Sequence, residues 1–189
     1  MSYQYDVFFS YKHTAQSLYW HQRVKDSLQE WLTHELDGSK ARIFMDCEEI
    51  RTGQDWRDRL GFGLKHSKCL VPVWSPSYFQ SPYCVSEWRA FHQRQSDVGC
   101  NLIAPIRYND GNCFPPDAKN AQMADFEKLT SNEAYFWNSD RALLLEDKIK
   151  LLAKDVATIV KNAPEFDLEW QAELMDFLPT EPTIKLAKL

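Results

Sequence analysis

The sequence predicts an α/β fold in which a parallel sheet is covered by helices on both faces. Three observations lead there. Strand-like and helix-like segments alternate along most of the 189 residues. The central strand candidate, Cys69-Leu70-Val71-Pro72-Val73-Trp74, is a continuous apolar run, the pattern of a strand covered on both sides. Between strands, apolar residues recur at helical spacing, as Val24, Leu28, Trp31 and Leu32 do.

Each element has its own signal. Tyr5 to Tyr11 is rich in aromatic and β-branched residues and holds no turn former, so it reads as the first strand. A polar loop, Lys12 to Gln16, leads into a helix from Ser17 to about Leu36, which Asp37-Gly38-Ser39 stops. Arg42 to Asp46 is a short second strand. Cys47 to Gln54 is a charged loop, and Trp56, Leu60 and Leu64 mark one face of a second helix. After the third strand, Ser75 to Pro82 reads as a loop. Ser81 then suits the N-cap, and Pro82 the first position, of a helix with Cys84, Val85, Trp88 and Phe91 on its core side. Leu102 to Arg107 is the fourth strand, and its Pro105 implies an edge position or a local break in pairing. Asn109 to Ser131 is expected to be irregular, with a short helix around Ala121 to Leu129. Ala134 to Trp137 is read as a fifth strand and Arg141 to Lys161 as a long helix. Pro164 ends that pattern, and Phe166, Trp170, Leu174 and Phe177 mark a last amphipathic stretch. The expected division is a domain over 1–162 and a C-terminal amphipathic helix or tail over 163–189, with Phe166 to Phe177 as a helix packed on the domain.

Composition narrows the function. Apolar residues make up 44% and aromatics 14%, enough to build a sizeable core, and the net charge of −5 argues against a dedicated nucleic-acid binder. No stretch has the length and hydropathy of a membrane span. The first residues lack the basic start and apolar run of a signal peptide, so the expected location is cytoplasmic. Cysteines 47, 69, 84, 100 and 113 form no CxxC unit, and neither a metal site nor a disulfide framework is expected. His34-Glu35 lacks the second histidine of a zinc helix, because position 38 is Gly38. Gly61-Phe62-Gly63 lies late in a helical pattern, with His66 in place of the last glycine of a dinucleotide fingerprint. There is no GxSxG elbow and no P-loop.

Four segments, in order and correctly spaced over about residues 3 to 162, resemble the Toll/interleukin-1 receptor (TIR) domain family. They are the opening strand Tyr5 to Tyr11, and Ile43-Phe44-Met45-Asp46 with the "BB" loop segment Ile50-Arg51-Thr52-Gly53-Gln54-Asp55-Trp56. Ser75 to Trp88 follows, containing Ser81-Pro82-Tyr83-Cys84-Val85-Ser86-Glu87, and then the late Phe136-Trp137. The resemblance implies a flavodoxin-like fold, a five-stranded parallel sheet of order 2-1-3-4-5. In that order the switch point falls between strands 1 and 3, and ligands bind outside their carboxyl ends. Ser10 to His13 and Ser75 to Glu87 leave those strands, so two distant stretches converge on one crevice.

The resemblance also implies a chemistry. Many members of the family cleave the nicotinamide–ribose bond of NAD+, as substrate rather than cofactor, either by hydrolysis or by cyclisation. Their catalytic acid maps to Glu87, which read alone would be an ordinary solvated helix residue. Ser10, Tyr11, Lys12, Asp46, Ser75 and Tyr83 are the substrate-binding candidates. Lys12 would meet the pyrophosphate, Asp46 the rim, and Tyr83 would stack on a ring or pack in the core. Tyr83 stands where many active members have Trp, and Thr52 where Pro often precedes the glycine. The expected protein is a stand-alone, bacterial-type enzyme of anti-phage immunity or NAD+ depletion. Its activation would come from self-association through the BB loop (Cys47 to Gln54) and neighbouring helices, with a separate sensor or effector protein or a nucleotide signal as trigger. The rivals are a non-catalytic adaptor, which uses the surface for homotypic binding alone, and an effector that mimics a host protein.

Overall fold

The computed structural model describes residues 2–46, 56–131 and 133–170. Five strands form one parallel sheet of order β2-β1-β3-β4-β5: β1 Tyr5–Tyr11, β2 Ile43–Phe44, β3 Ser67–Trp74, β4 Ile106–Arg107 and β5 Ala124–Asp125. The helices are α1 Leu18–Glu35, α2 Trp56–Lys65, α3 Pro76–Phe79, α4 Pro82–Val98, α5 Pro116–Lys119 and α6 Asp140–Lys161. Right-handed crossovers fix their sides. The chain steps from β1 to β2 in one direction and from β2 to β3, then β4, in the other, which sends α1 to one face and α2 and α4 to the opposite one. α6 packs along α1.

The continuous apolar runs became the two central strands. In β1 every residue from Asp6 to Tyr11 is buried, and in β3 only Lys68 is not. Their ladder runs from Tyr5–Ser67 to Tyr11–Val73, continuous from Val7–Cys69 on, and pairs Ser10 with Pro72. On the other side of β3 the pairing is interrupted: Leu70 bridges Ile103, and regular pairing resumes at Val73–Ile106. Pro72 and Pro105 both fall inside that gap, where neither has an N–H to donate. The core is aromatic, with Trp20, Trp74, Tyr78, Phe8, Phe9, Phe44 and Phe91 almost wholly buried. Phe8 stacks on Phe44 at 4.9 Å. Gly63 faces the same Phe44 ring so closely that a Cβ there would lie 2.6 Å from it, so α2 can dock only through a residue without a side chain.

Three expectations are corrected after Arg107. The fifth strand is not Ala134–Trp137. Ala134–Asn138 is a 3₁₀ turn that buries Phe136 and leaves Tyr135 72% exposed. The strand is Ala124–Asp125, inside the stretch expected to be a short helix, and a 3₁₀ turn at Glu127–Leu129 follows it. The short helix of this region is α5, nearer its start. Aromatic content favours strands only where a neighbouring strand is within reach, and here the pairing with β4 is made by a two-residue segment too short to show any period.

Residues 163–170 are not helical and pack against the N-terminal end of the sheet. The Tyr3 hydroxyl donates to the Pro164 carbonyl at 2.9 Å, Phe166 stacks on His66, and the Arg94 guanidinium lies 4.5 Å from the centre of the Trp170 ring. Leu174, Phe177 and the BB loop, Cys47 to Gln54, lie outside the described residues. No helix among the described residues is long and apolar enough to cross a membrane.

Candidate active site

The carboxyl ends of β1 and β3 bring together the two stretches that the strand order singles out. β1 ends at Tyr11 and presents Ser10 to the α4 side of the sheet. β3 ends at Trp74, and Ser75 caps α3 by accepting the Tyr78 N–H at 3.1 Å. One residue beyond α3 and its C-cap, Ser81 caps α4, its hydroxyl accepting from the Cys84 N–H at 3.5 Å with Pro82 in the first turn. That start puts Glu87 in the second turn of α4, aimed at β1.

Glu87 is 6% exposed and accepts a hydrogen bond of 2.5 Å from the Ser10 hydroxyl, across 77 residues of chain. Ser10 is itself 2.8 Å from the hydroxyl of Tyr78, which is wholly buried. Three elements, β1, α3 and α4, thus meet in one chain of oxygens. Burial pushes the Glu87 carboxyl up to about 8; the Ser10 hydrogen bond works against that rise, and the nearby Asp46 charge adds to it. Burial raises the Tyr78 phenol well above its ordinary range and the Cys84 thiol to about 12, so both stay protonated.

The other sequence-derived candidates take different places. Tyr83, one turn before Glu87, is half-buried, as are Lys12, one residue past β1, and Asp46, two residues past β2. Ser75 is a helix cap. Tyr11 is buried and packs on His21 at 4.7 Å, on the α1 side of the sheet and away from Ser10. Tyr78 was not among the candidates; its signal was the aromatic pair Tyr78-Phe79 among serines and prolines, read as loop. Elsewhere, a groove of 720 Å³ runs between β5 and α6, bordered by Met123, Asp125, Lys148, Leu151 and Asp155. Its Lys148 ammonium is committed to the Asp125 carbonyl at 2.9 Å, and no buried polar cluster converges there, so chemistry points to Glu87 instead. Among the described residues, no group of three or more His, Cys, Asp or Glu side chains is placed to hold a metal ion.

A family model for the TIR domain matches residues 7–136, more than half of the chain, from within β1 to the 3₁₀ turn at Phe136. The chain belongs to the TIR domain family. Its strand order is that of the flavodoxin-like TIR fold. Disease resistance protein RPS6 of Arabidopsis thaliana is 27% identical over 139 residues, 74% of this chain and 11% of that protein, so the TIR domain described here spans a small part of that relative's length. Among solved structures, the TIR domain of the Toll-related receptor TRR-2 from Hydra magnipapillata is 18% identical. It covers 77% of this chain and 98% of its own at a TM-score of 0.42. The TIR domains of the activated Roq1 resistosome, which directly recognizes the pathogen effector XopQ, are 19% identical, covering 82% and 84% at a TM-score of 0.45.

Proposed function

We propose that this TIR domain cleaves the nicotinamide–ribose bond of NAD+ with Glu87 as its catalytic acid residue. One observation carries the reading. A carboxyl is buried at the carboxyl edge of the sheet, beside the switch strand, and is held there by a hydroxyl from that strand rather than by a cation. An acid kept out of water with no counter-ion among the described residues is costly to ionise, and such sites are candidates for function.

The chemistry needs one carboxylate. The bond between ribose C1′ and the nicotinamide nitrogen breaks, and its electron pair stays on nitrogen, neutralising the pyridinium. C1′ becomes oxocarbenium-like, and the Glu87 carboxylate stabilises that charge and accepts hydrogen bonds from the ribose hydroxyls. Water, or a nucleophile of the same molecule, then adds to C1′ and gives up its proton. The substrate is cationic at the reacting ring, and its arrival favours the ionised form of a carboxyl that burial otherwise keeps protonated near neutrality. Lys12 is assigned to the pyrophosphate, Asp46 to the rim and Tyr83 to ring stacking; Ser75, as the cap of α3, fixes the wall of the crevice, and Tyr11, on the opposite face, has no part in it. Activity is released by self-association, in an immune or NAD+-depleting response. The likeness to a plant disease resistance protein supports the immune part of that reading.

A second reading, a non-catalytic scaffold, is favoured by the near-complete burial of Glu87, which also suits a protonated acid used as a structural hydrogen-bond partner. Concentrated protein incubated with NAD+ separates the two. The enzyme releases nicotinamide with ADP-ribose or a cyclic product, and Glu87→Gln lowers the rate by about a thousandfold. A scaffold releases none, and its self-association is unchanged by the substitution.

A further inference from the structure

Tyr78 has the geometry of a group that decides how Glu87 is hydrogen bonded. Its side chain is wholly buried in the one-turn helix α3. Among the described residues its hydroxyl has one partner, the Ser10 oxygen at 2.8 Å. A phenol carries one proton, and a buried hydroxyl that donated to nothing would forfeit most of its hydration. Tyr78 therefore donates to Ser10. Ser10 also carries one proton, and its remaining neighbour is Glu87 Oε2 at 2.5 Å. The direction of the whole chain is then fixed: Tyr78 gives to Ser10, and Ser10 gives to Glu87.

We infer that Tyr78 is a positioning residue, which, through Ser10, holds Glu87 as a hydrogen-bond acceptor with one oxygen pinned to β1 and the other left for the substrate. The reversed arrangement, with a protonated Glu87 donating to Ser10 and Ser10 donating to Tyr78, would strand the phenol proton in the core. Tyr78 thus biases against the protonated donor form without touching the carboxyl, and successive donors in a chain strengthen each other. The other titratable groups around Glu87 act in different ways. Asp46 beyond β2 opposes ionisation, and Cys84 on α4 stays a neutral thiol. Lys12 beyond β1 bears on Cys84. None of them supplies a second donor to this carboxyl among the described contacts.

The role in turnover rests on the proposed NAD+ cleavage, but the hydrogen-bond chain can be read without it. Tyr78→Phe keeps the ring and removes the proton. The titration midpoint of the Glu87 carboxyl, followed by carbon-13 NMR, rises in this variant and rises further in Ser10→Ala. The double variant matches Ser10→Ala, because Tyr78 acts only through Ser10. In turnover, kcat/KM of Tyr78→Phe falls by about tenfold near pH 6 and returns to within about twofold near pH 9.5. An equal loss at every pH, or an unmoved Glu87 midpoint in a folded variant, overturns the assignment. If Tyr78→Phe does not fold, 3-fluorotyrosine at position 78 donates more strongly in the same shape and lowers the midpoint; a midpoint that stayed or rose would overturn it. If the unaltered protein released no nicotinamide, the enzyme reading would fall, while the carboxyl titration still decides the chain of donors.

Discussion

The last two residues of β1 look onto opposite sides of the sheet, and each meets a buried titratable group. Ser10 meets Glu87 on α4; Tyr11 meets His21 on α1. The two groups are almost equally hidden, at 6% and 3% exposure. Their surroundings differ in kind. Glu87 receives a hydroxyl that is itself fed by a second hydroxyl. His21 is enclosed by the rings of Tyr11, Trp20 and Tyr108, and its Nδ1 has no hydrogen-bond partner among the described residues. Burial pulls the His21 imidazole down to about 3, with the nearby His13 adding to the effect, so the ring is a neutral core residue. Burial alone therefore does not mark a site on this strand. The supply of directed donors does.

The contrast breaks most visibly in turnover. Glu87→Gln is expected to lose about a thousandfold in NAD+ cleavage, whereas His21→Phe, which keeps a ring among rings, changes it by less than about threefold. Comparable losses in the two variants, measured by nicotinamide release, would place the chemistry on both sides of β1 and end the distinction.

Stability against pH sharpens it. The folded-state value of Glu87 is raised, so the unfolded chain binds fewer protons between 4.5 and about 8, and the stability present below 4.5 is lost as pH climbs through that window. The folded-state value of His21 is lowered, so the unfolded chain binds more protons between 6.5 and about 3, and stability is lost as pH falls through that window. Each contribution is on the order of 5 kcal/mol. In urea titrations across the pH range, Glu87→Gln should remove the decline between 4.5 and about 8 and His21→Phe the rise between about 3 and 6.5. A variant that flattened the wrong limb would show that the group had been assigned the wrong charge.

The smallest expected difference lies in the helix starts that carry the two groups. The Ser81 hydroxyl accepts from a backbone N–H of α4, whereas Ser17, at the same position of α1, makes no such bond and pairs with Thr14 instead. Ser81→Ala should cost about 1 kcal/mol and lower turnover by tilting Glu87, and Ser17→Ala only about 0.3 kcal/mol with no change in turnover. Thermal unfolding of the two single variants measures it.

Much of this was legible before any coordinates. β1, β3, α1 and α6 announced themselves through long runs whose pattern depends only on which faces are covered. The α4 start was legible too, because Ser81-Pro82 is a local signal. β5 was not: two residues carry no period, and the aromatic Ala134–Trp137 outcompeted them although no strand stood beside it. At the site, Glu87 and Ser10 followed from the strand order once the family resemblance supplied it. Tyr11 was placed in the same crevice as Ser10, against the alternation that sends neighbouring strand residues to opposite faces. Tyr78 escaped because its partner lies 68 residues away and its own segment reads as loop.

Pro72 in β3 and Pro105, just before β4, give the sheet a seam. In the block β2-β1-β3, β1 and β3 are laced continuously from Val7–Cys69 to Tyr11–Val73, while β4-β5 hangs from that block by a discontinuous set of bonds on either side of Pro72 and Pro105. In deuterium exchange the amides of Phe8 to Tyr11 should be the last to yield, and those of Ile106 and Arg107 should open earlier and together, as a separate cooperative unit. The side of the molecule that carries Glu87 would thus keep its shape while the far side breathes.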